Sequence, residues 1–333
     1  MKKMTWAFTT LAVVLIAGSI LVLAQAPGTA PQAGERGQRG QRGPGSGIAN
    51  VNNTQRTDVA TMPLPIAMHD TLWMEDLTML EIRDLLKSGK ITTALVLTGG
   101  VEENGPYLTT GKHNNVLRVM GPAIAKKLGN ALCAPIVTME PGNPIAQPGR
   151  TSSAGSTVIS EQTFEAILMD MANSLKSQGF KNVIFLGDNG GNSRGMSAVT
   201  KAFNEKWKGE GAMAYTIPEY YSYTEDAAPG YSVQGYEEKV LGIHEKVGVE
   251  NGGDGYHDDY YISAYVMLHD INDTRIPERI KAKKSTINGV ELAPGGKVDK
   301  TLENARKLVD YRAENTVKAI VKAMAAAKTS QQQ

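Results

Sequence analysis

Positions 94 to 97 are apolar without a break, threonines flank them, and the run closes on Gly99-Gly100. A short apolar run without alternation predicts a strand buried on both faces, here over 92–98. Helical spacing surrounds it. Leu77, Leu80, Ile82, Leu85 and Leu86 fit one face of a helix over 76–88 that stops at Gly89. A second helix is expected over 116–128, leading to the apolar segment 131–137. Phe164, Ile167, Leu168, Met171 and Leu175 share the face of a third over 161–178, closed by Gly179. A strand over 182–186 and a helix over 193–207 follow. Helical runs recur at 262–268 and 299–326, and the last five residues are expected to fray. Residues 140–156, rich in Pro, Gly and Ser, predict a long loop, and such loops are commonly functional. Strand and helix thus alternate, which implies a three-layer α/β/α fold with a mainly parallel central sheet.

The first 60 residues follow another pattern. Lys2 and Lys3 precede an apolar stretch over 6–23 and a small-residue site at Val22-Leu23-Ala24, so 1–24 reads as an export signal. The expected location is periplasmic or secreted, with an uncleaved N-terminal anchor as the alternative. Residues 25–60 turn to Gly, Pro, Gln and Arg and read as a disordered linker. The folded domain is expected over 62–328.

Composition narrows the partners. In 333 residues, 35 basic side chains face 34 acidic ones, a net charge of +1, which gives no electrostatic case for nucleic acid. A small-molecule ligand is the better expectation. Cys133 is the only cysteine; it excludes an intrachain disulfide or a cysteine-rich zinc cluster and reads as core.

Chemistry concentrates in three places. Glu102, Asn104 and His113 follow the first strand, and Asp188 and Asn189 follow the strand at 182–186. Asp254, His257, Asp258 and Asp259 precede the helix at 262–268. Ligands in α/β sheets bind beyond the carboxyl ends of the strands, where the first two sets lie. Such O and N donors suit a divalent metal. Asp258 reads better as a cap for the following helix. His69, His244 and His269 lack a comparable setting. Phosphate-loop and nucleophile-elbow patterns are absent.

The run Glu102-Glu103-Asn104-Gly105-Pro106-Tyr107-Leu108-Thr109-Thr110-Gly111-Lys112-His113 resembles the first motif of the creatininase family (creatinine amidohydrolases), E-Q-H-G-P-H-L-P-x-G-T-D. Gly187-Asp188-Asn189-Gly190-Gly191-Asn192 is similar to its second, N-G-H-G-G-N. Residues 256–263 weakly echo its third, H-A-G-E-x-E-T-S. The resemblance implies a creatininase-like fold, a homo-oligomer such as a hexamer, and two metal ions, typically zinc or manganese. The family holds them by the first-motif Glu, His and Asp, the second-motif His and a further carboxylate. Here Glu102 keeps the Glu, Asn104 replaces the His, His113 the bridging Asp and Asn189 the second-motif His, while Asp259 falls at a family Glu.

Two readings follow. In one, Glu102, His113, Asp188 and Asp259 bind one divalent ion in place of two, Zn or Mn before Ca or Mg, with Asn104 or Asn189 helping. The protein is then a metal-dependent amidohydrolase cleaving a non-peptide C–N bond in a cyclic amide or related small molecule. Glu102 and His257 are its catalytic residues, His257 donating a proton to the leaving nitrogen, and Tyr220, Tyr221 and Tyr223 are candidate pocket walls. In the other, the metal is lost and the protein binds a small solute without turnover.

Overall fold

The computed structural model describes residues 59–144, 154–222, 240–246, 253 and 255–331. The expected signal at 1–24, nearly all of the linker at 25–60, the centre of the loop at 140–156, Tyr223 and Asp254 lie outside the described residues. The chain divides into two units, and the second, Met62–Gln333, carries the sheet.

Helix α1, Met79–Lys87, starts two residues after Leu77, because Thr78 is the better start. Its hydroxyl accepts from the Glu81 N–H while the Glu81 carboxylate accepts from the Thr78 N–H, a reciprocal cap that satisfies two end donors. Thr78→Ala is expected to lower stability by about 1 kcal/mol, read as a shift in the urea midpoint; an unchanged midpoint would show the cap to be idle.

Strand β1, Thr93–Thr98, is buried at every position. It is flanked by β2, Ala131–Cys133, and by β5, Asn182–Gly187, and beyond β5 lies β6, Met213–Thr216. The order is β2-β1-β5-β6 with every pairing parallel. Between these strands come helix α2, Lys112–Leu128, helix α3, Glu161–Gln178, and helix α4, Asn192–Lys206. Two short strands pair in parallel, β3 (Glu140–Pro141) at the start of the stretch expected to be loop and β4 (Val158–Ile159) just beyond its end.

After the sheet come α5, Tyr260–His269, the short α6, Ile276–Lys281, and the hairpin of β7, Thr286–Ile287, with β8, Val290–Glu291. Helix α7, Asp299–Gln331, closes the chain. It runs through Thr329 to Gln331, where fraying was expected. Among the described residues no helix is long and apolar enough to cross a membrane.

Alternation along β1 builds the two cores. Leu95 and Leu97 join Val116, Leu117, Met120, Tyr265 and Leu308 from α2, α5 and α7 on one face. Ala94 and Val96 join Phe164, Leu168, Val199 and Phe203 from α3 and α4 on the other. The three layers are therefore those expected. Each fully buried Leu or Phe in these cores contributes roughly 1.5–3 kcal/mol relative to exposure. Cys133 sits buried in β2 among apolar neighbours, and burial pushes its thiol pKa up, the setting of an inert core residue.

The topology places the site. From β1 the chain moves one way to β2 and later returns to the opposite neighbour, β5, so the order reverses between β1 and β5. A crevice opens outside the strand ends at such a reversal. Register makes both strands end together, with Thr98 opposite Gly187, and the Asp188 N–H bonds to the Thr98 carbonyl at 2.9 Å.

Candidate functional site

Gly99 and Gly100 let side chains cross the end of β1 at close range. A Cβ on Gly99 would lie 2.0 Å from Asn114 Oδ1, and one on Gly100 1.7 Å from Glu140 Oε2. Helix α2 begins four residues earlier than its apolar pattern, at Lys112, so Lys112 and His113 enter the site from its first turn. Both are buried.

Glu102 is the hub. Its Oε1 receives Lys112 Nζ at 2.9 Å and His113 Nε2 at 3.0 Å, with His257 Nδ1 at 3.5 Å. Its Oε2 faces Asn189 Nδ2 at 3.3 Å. Burial opposes the charge on Glu102, but the hydrogen bonds from His113 and His257 and the charge of Lys112 outweigh it. They hold its pKa far below the usual carboxylate range.

The other ring nitrogen of His113, Nδ1, meets Asp188 Oδ2 at 2.9 Å. An ionised carboxylate only accepts, so a ring placed between two of them donates from both nitrogens and is cationic. Burial works against that charge, and the bonds to Asp188 and Glu102 prevail, raising the pKa of His113.

Asp188 is itself anchored from behind. Its Oδ1 accepts from the Tyr220 hydroxyl at 2.8 Å and from Arg312 Nη2 at 3.1 Å. The Arg312 guanidinium lies 4.0 Å from the centre of the Tyr220 ring and also donates from Nε to the Tyr220 carbonyl. Asp188 and Arg312 are both 1% exposed at the side chain, so this is a buried ion pair.

The remaining candidates sit around that core. Asn189 donates to Glu140 Oε2 at 2.7 Å, and its own carbonyl oxygen accepts from the Gly191 N–H. Asn104 donates to the carbonyls of Glu102 and Thr109, which fixes the loop, and its buried Oδ1 has no hydrogen-bond partner among the described residues. Asp259 borders the same cavity but bonds to Asn288 at 2.7 Å. Burial, with the nearby Glu245 charge, pushes its pKa up to about 7. His257 is exposed, and its carbonyl accepts from Lys112 Nζ at 2.8 Å. Its ring pKa is raised by the Glu102 hydrogen bond. Asp258, expected as a helix cap, instead points to Arg279 at 2.5 Å; the residue at the cap position is Asp259, whose side chain makes no cap bond.

Glu102, His113, Asp188, Asn189 and His257 are thus joined by direct contacts, with Asp259 on the cavity rim. Asn104 is turned away into its own loop. Lys112, Glu140 and Arg312 were not singled out from sequence. Arg312 lies 124 residues beyond its partner Asp188, and no local pattern signals it. Glu140 had only its place in a Pro- and Gly-rich stretch. Lys112 stood inside the first motif, next to His113.

The cavity measures about 270 Å³, and Gly190, Gly191, Tyr221, Tyr261 and Ile262 complete its lining. That volume suits a small polar molecule. The donor set does not suit a divalent metal. Both nitrogens of His113 are committed to carboxylates, and Lys112 already neutralises Glu102. Among the described residues no group of three or more His, Cys, Asp or Glu side chains is arranged to hold a metal ion.

A family model described as "Creatininase: Creatinine amidohydrolase" matches residues 75–246. Among solved structures, one titled "Creatininase Mn" is 13% identical with a TM-score of 0.51, covering 76% of this chain and 98% of that one. A mutant creatininase complexed with creatine is 12% identical with a TM-score of 0.51, over 76% and 98% of the two chains. Among curated proteins none matches this chain significantly by sequence.

Proposed function

The chain belongs to the creatininase family, and on that premise we propose that it is an amidohydrolase cleaving a non-peptide C–N bond in a small polar molecule such as a cyclic amide. The observation that carries this reading is the convergence of Glu102, Lys112 and His257 on a cavity of about 270 Å³ at the reversal point of the sheet. The ion named for one relative is manganese and its bound molecule in another is creatine. A bound Zn or Mn would supply a Lewis acid and an activated water, but the residues here do not fit that group.

The side chains present have roles of their own. Lys112 Nζ is a fixed, buried cation at the cavity wall, placed to stabilise negative charge on a substrate carbonyl oxygen. His257, whose pKa is raised by its hydrogen bond to Glu102 and whose ring is exposed, is suited to protonate the leaving nitrogen. Asp259 borders the same cavity as a candidate base for the attacking water. Its pKa of about 7 matches a general base at neutral pH.

A screen of lactams, cyclic ureides and formamides tests the reading, with turnover of at least one class expected. His257→Ala should then lower kcat by about 10²–10⁴-fold without unfolding the chain, since the ring is exposed. An unchanged kcat would remove His257 from the chemistry. A second reading, capture of a small solute without turnover, is favoured by the saturation of Glu102 with protein cations. Stabilisation by one of the same compounds with no product formed would establish it in place of the first. We also propose export, from the charge and hydropathy pattern of 1–24, and a homo-oligomer, from the family.

A further inference from the structure

Three positions at which this chain departs from the family motifs engage the Glu102 and Asp188 carboxylates, and Asp188 is itself a fourth departure. Lys112 and His113 stand where the first motif has Thr and Asp, and Asp188 and Asn189 where the second has Gly and His. Lys112, His113 and Asn189 all reach Glu102, at 2.9, 3.0 and 3.3 Å, and His113 reaches Asp188 at 2.9 Å. Aspartate and histidine have in effect changed places. The acid now comes from the end of β5 and the imidazole from the first turn of α2. Each of these four replacements has a polar partner within the network.

We propose that this internal ion network, the Lys112 ammonium and the His113 ring set between the Glu102 and Asp188 carboxylates, substitutes for bound metal and makes the site metal-free in its working state. Charge balance explains why. The cations at Glu102 neutralise what a divalent ion would otherwise neutralise, and their charge repels a further cation. His113 has no lone pair left to give, and the carbonyl oxygen of Asn189 already accepts from the Gly191 N–H. The Glu140 carboxylate is held by Asn189 and that of Asp259 by Asn288, and Asn104 Oδ1, unpartnered among the described residues, is a single neutral oxygen, too little for a divalent ion by itself.

The swap also explains the support behind Asp188. A carboxylate introduced at a family Gly position needs compensation on its far side, and the Tyr220 hydroxyl and Arg312 supply it. The consequence for ligand class is that the cavity presents fixed ammonium and imidazole donors, so it would recognise carbonyl or carboxylate oxygens by hydrogen bonding.

The test is metal content and thermal response of the full chain, expressed with added Mn or Zn and then dialysed. Substoichiometric metal, and a melting temperature unmoved by Mn, Zn or a chelator, are expected. Tightly held stoichiometric metal whose removal lowers the melting temperature, and which is absent from Glu102→Gln, would overturn the proposal. No readout here is catalytic, so failure of the amidohydrolase reading in the substrate screen would leave this inference standing, and the reverse holds as well.

Discussion

Asp188→Ala is expected to lower folding stability by about 3–5 kcal/mol, the range for breaking a buried ion pair by removing one partner. Asp188 accepts from His113, Tyr220 and Arg312 at once, and it is almost completely buried. Removing it takes the carboxylate from a buried guanidinium and one of two carboxylates from His113. Urea unfolding reads the loss directly. Combining Asp188→Leu with Arg312→Met should recover much of it, because an apolar pair needs no compensating charge. A single-variant loss below about 1 kcal/mol would instead mark the pair as effectively solvated.

The second large effect is expected away from the cavity. Asp258 and Arg279 pair at 2.5 Å with both side chains 2% exposed, and Arg279 Nε also donates to the Thr274 carbonyl. Asp258→Ala should cost about 3–5 kcal/mol. A helix-capping role for the same residue would cost about 1 kcal/mol. The magnitude therefore separates the cap suggested by sequence from the ion pair seen in the structure. If Arg279→Met matches the loss and the double variant adds little more, the two residues act as one unit. The expected cost lies in tethering: the pair joins the start of α5, and with it the segment bearing His257 and Asp259, to α6.

Much of the fold was legible because the signals were local. Unbroken apolar runs marked β1 and β5, and periodicity placed α3 at 161–178, as observed. Strand β6, Met213–Thr216, carries little signal of its own, because four residues are too few to show a strand's period. It is a strand only because β5 offers an edge. Helix α2 starts before its apolar pattern does, because Lys112-His113-Asn114-Asn115 breaks that pattern. Those polar residues are tolerated in the first turn because the site supplies Lys112 and His113 with carboxylate partners.

By itself the sequence determined the layered α/β fold and the two strand ends that carry the candidate side chains, Glu102 and His113 after one and Asp188 after the other. Side-chain period and apolar run length act over a few residues, so one chain read in order contains them. Only the tertiary structure decided what those residues do to one another. Whether His113 lends a lone pair or carries a charge depends on how many carboxylates reach its ring. Those come from segments 11 and 75 residues away. Asp188 stays buried because Arg312 arrives from the last helix. Protonation and ion pairing are set by distance and burial in space, and no local pattern of residues encodes either.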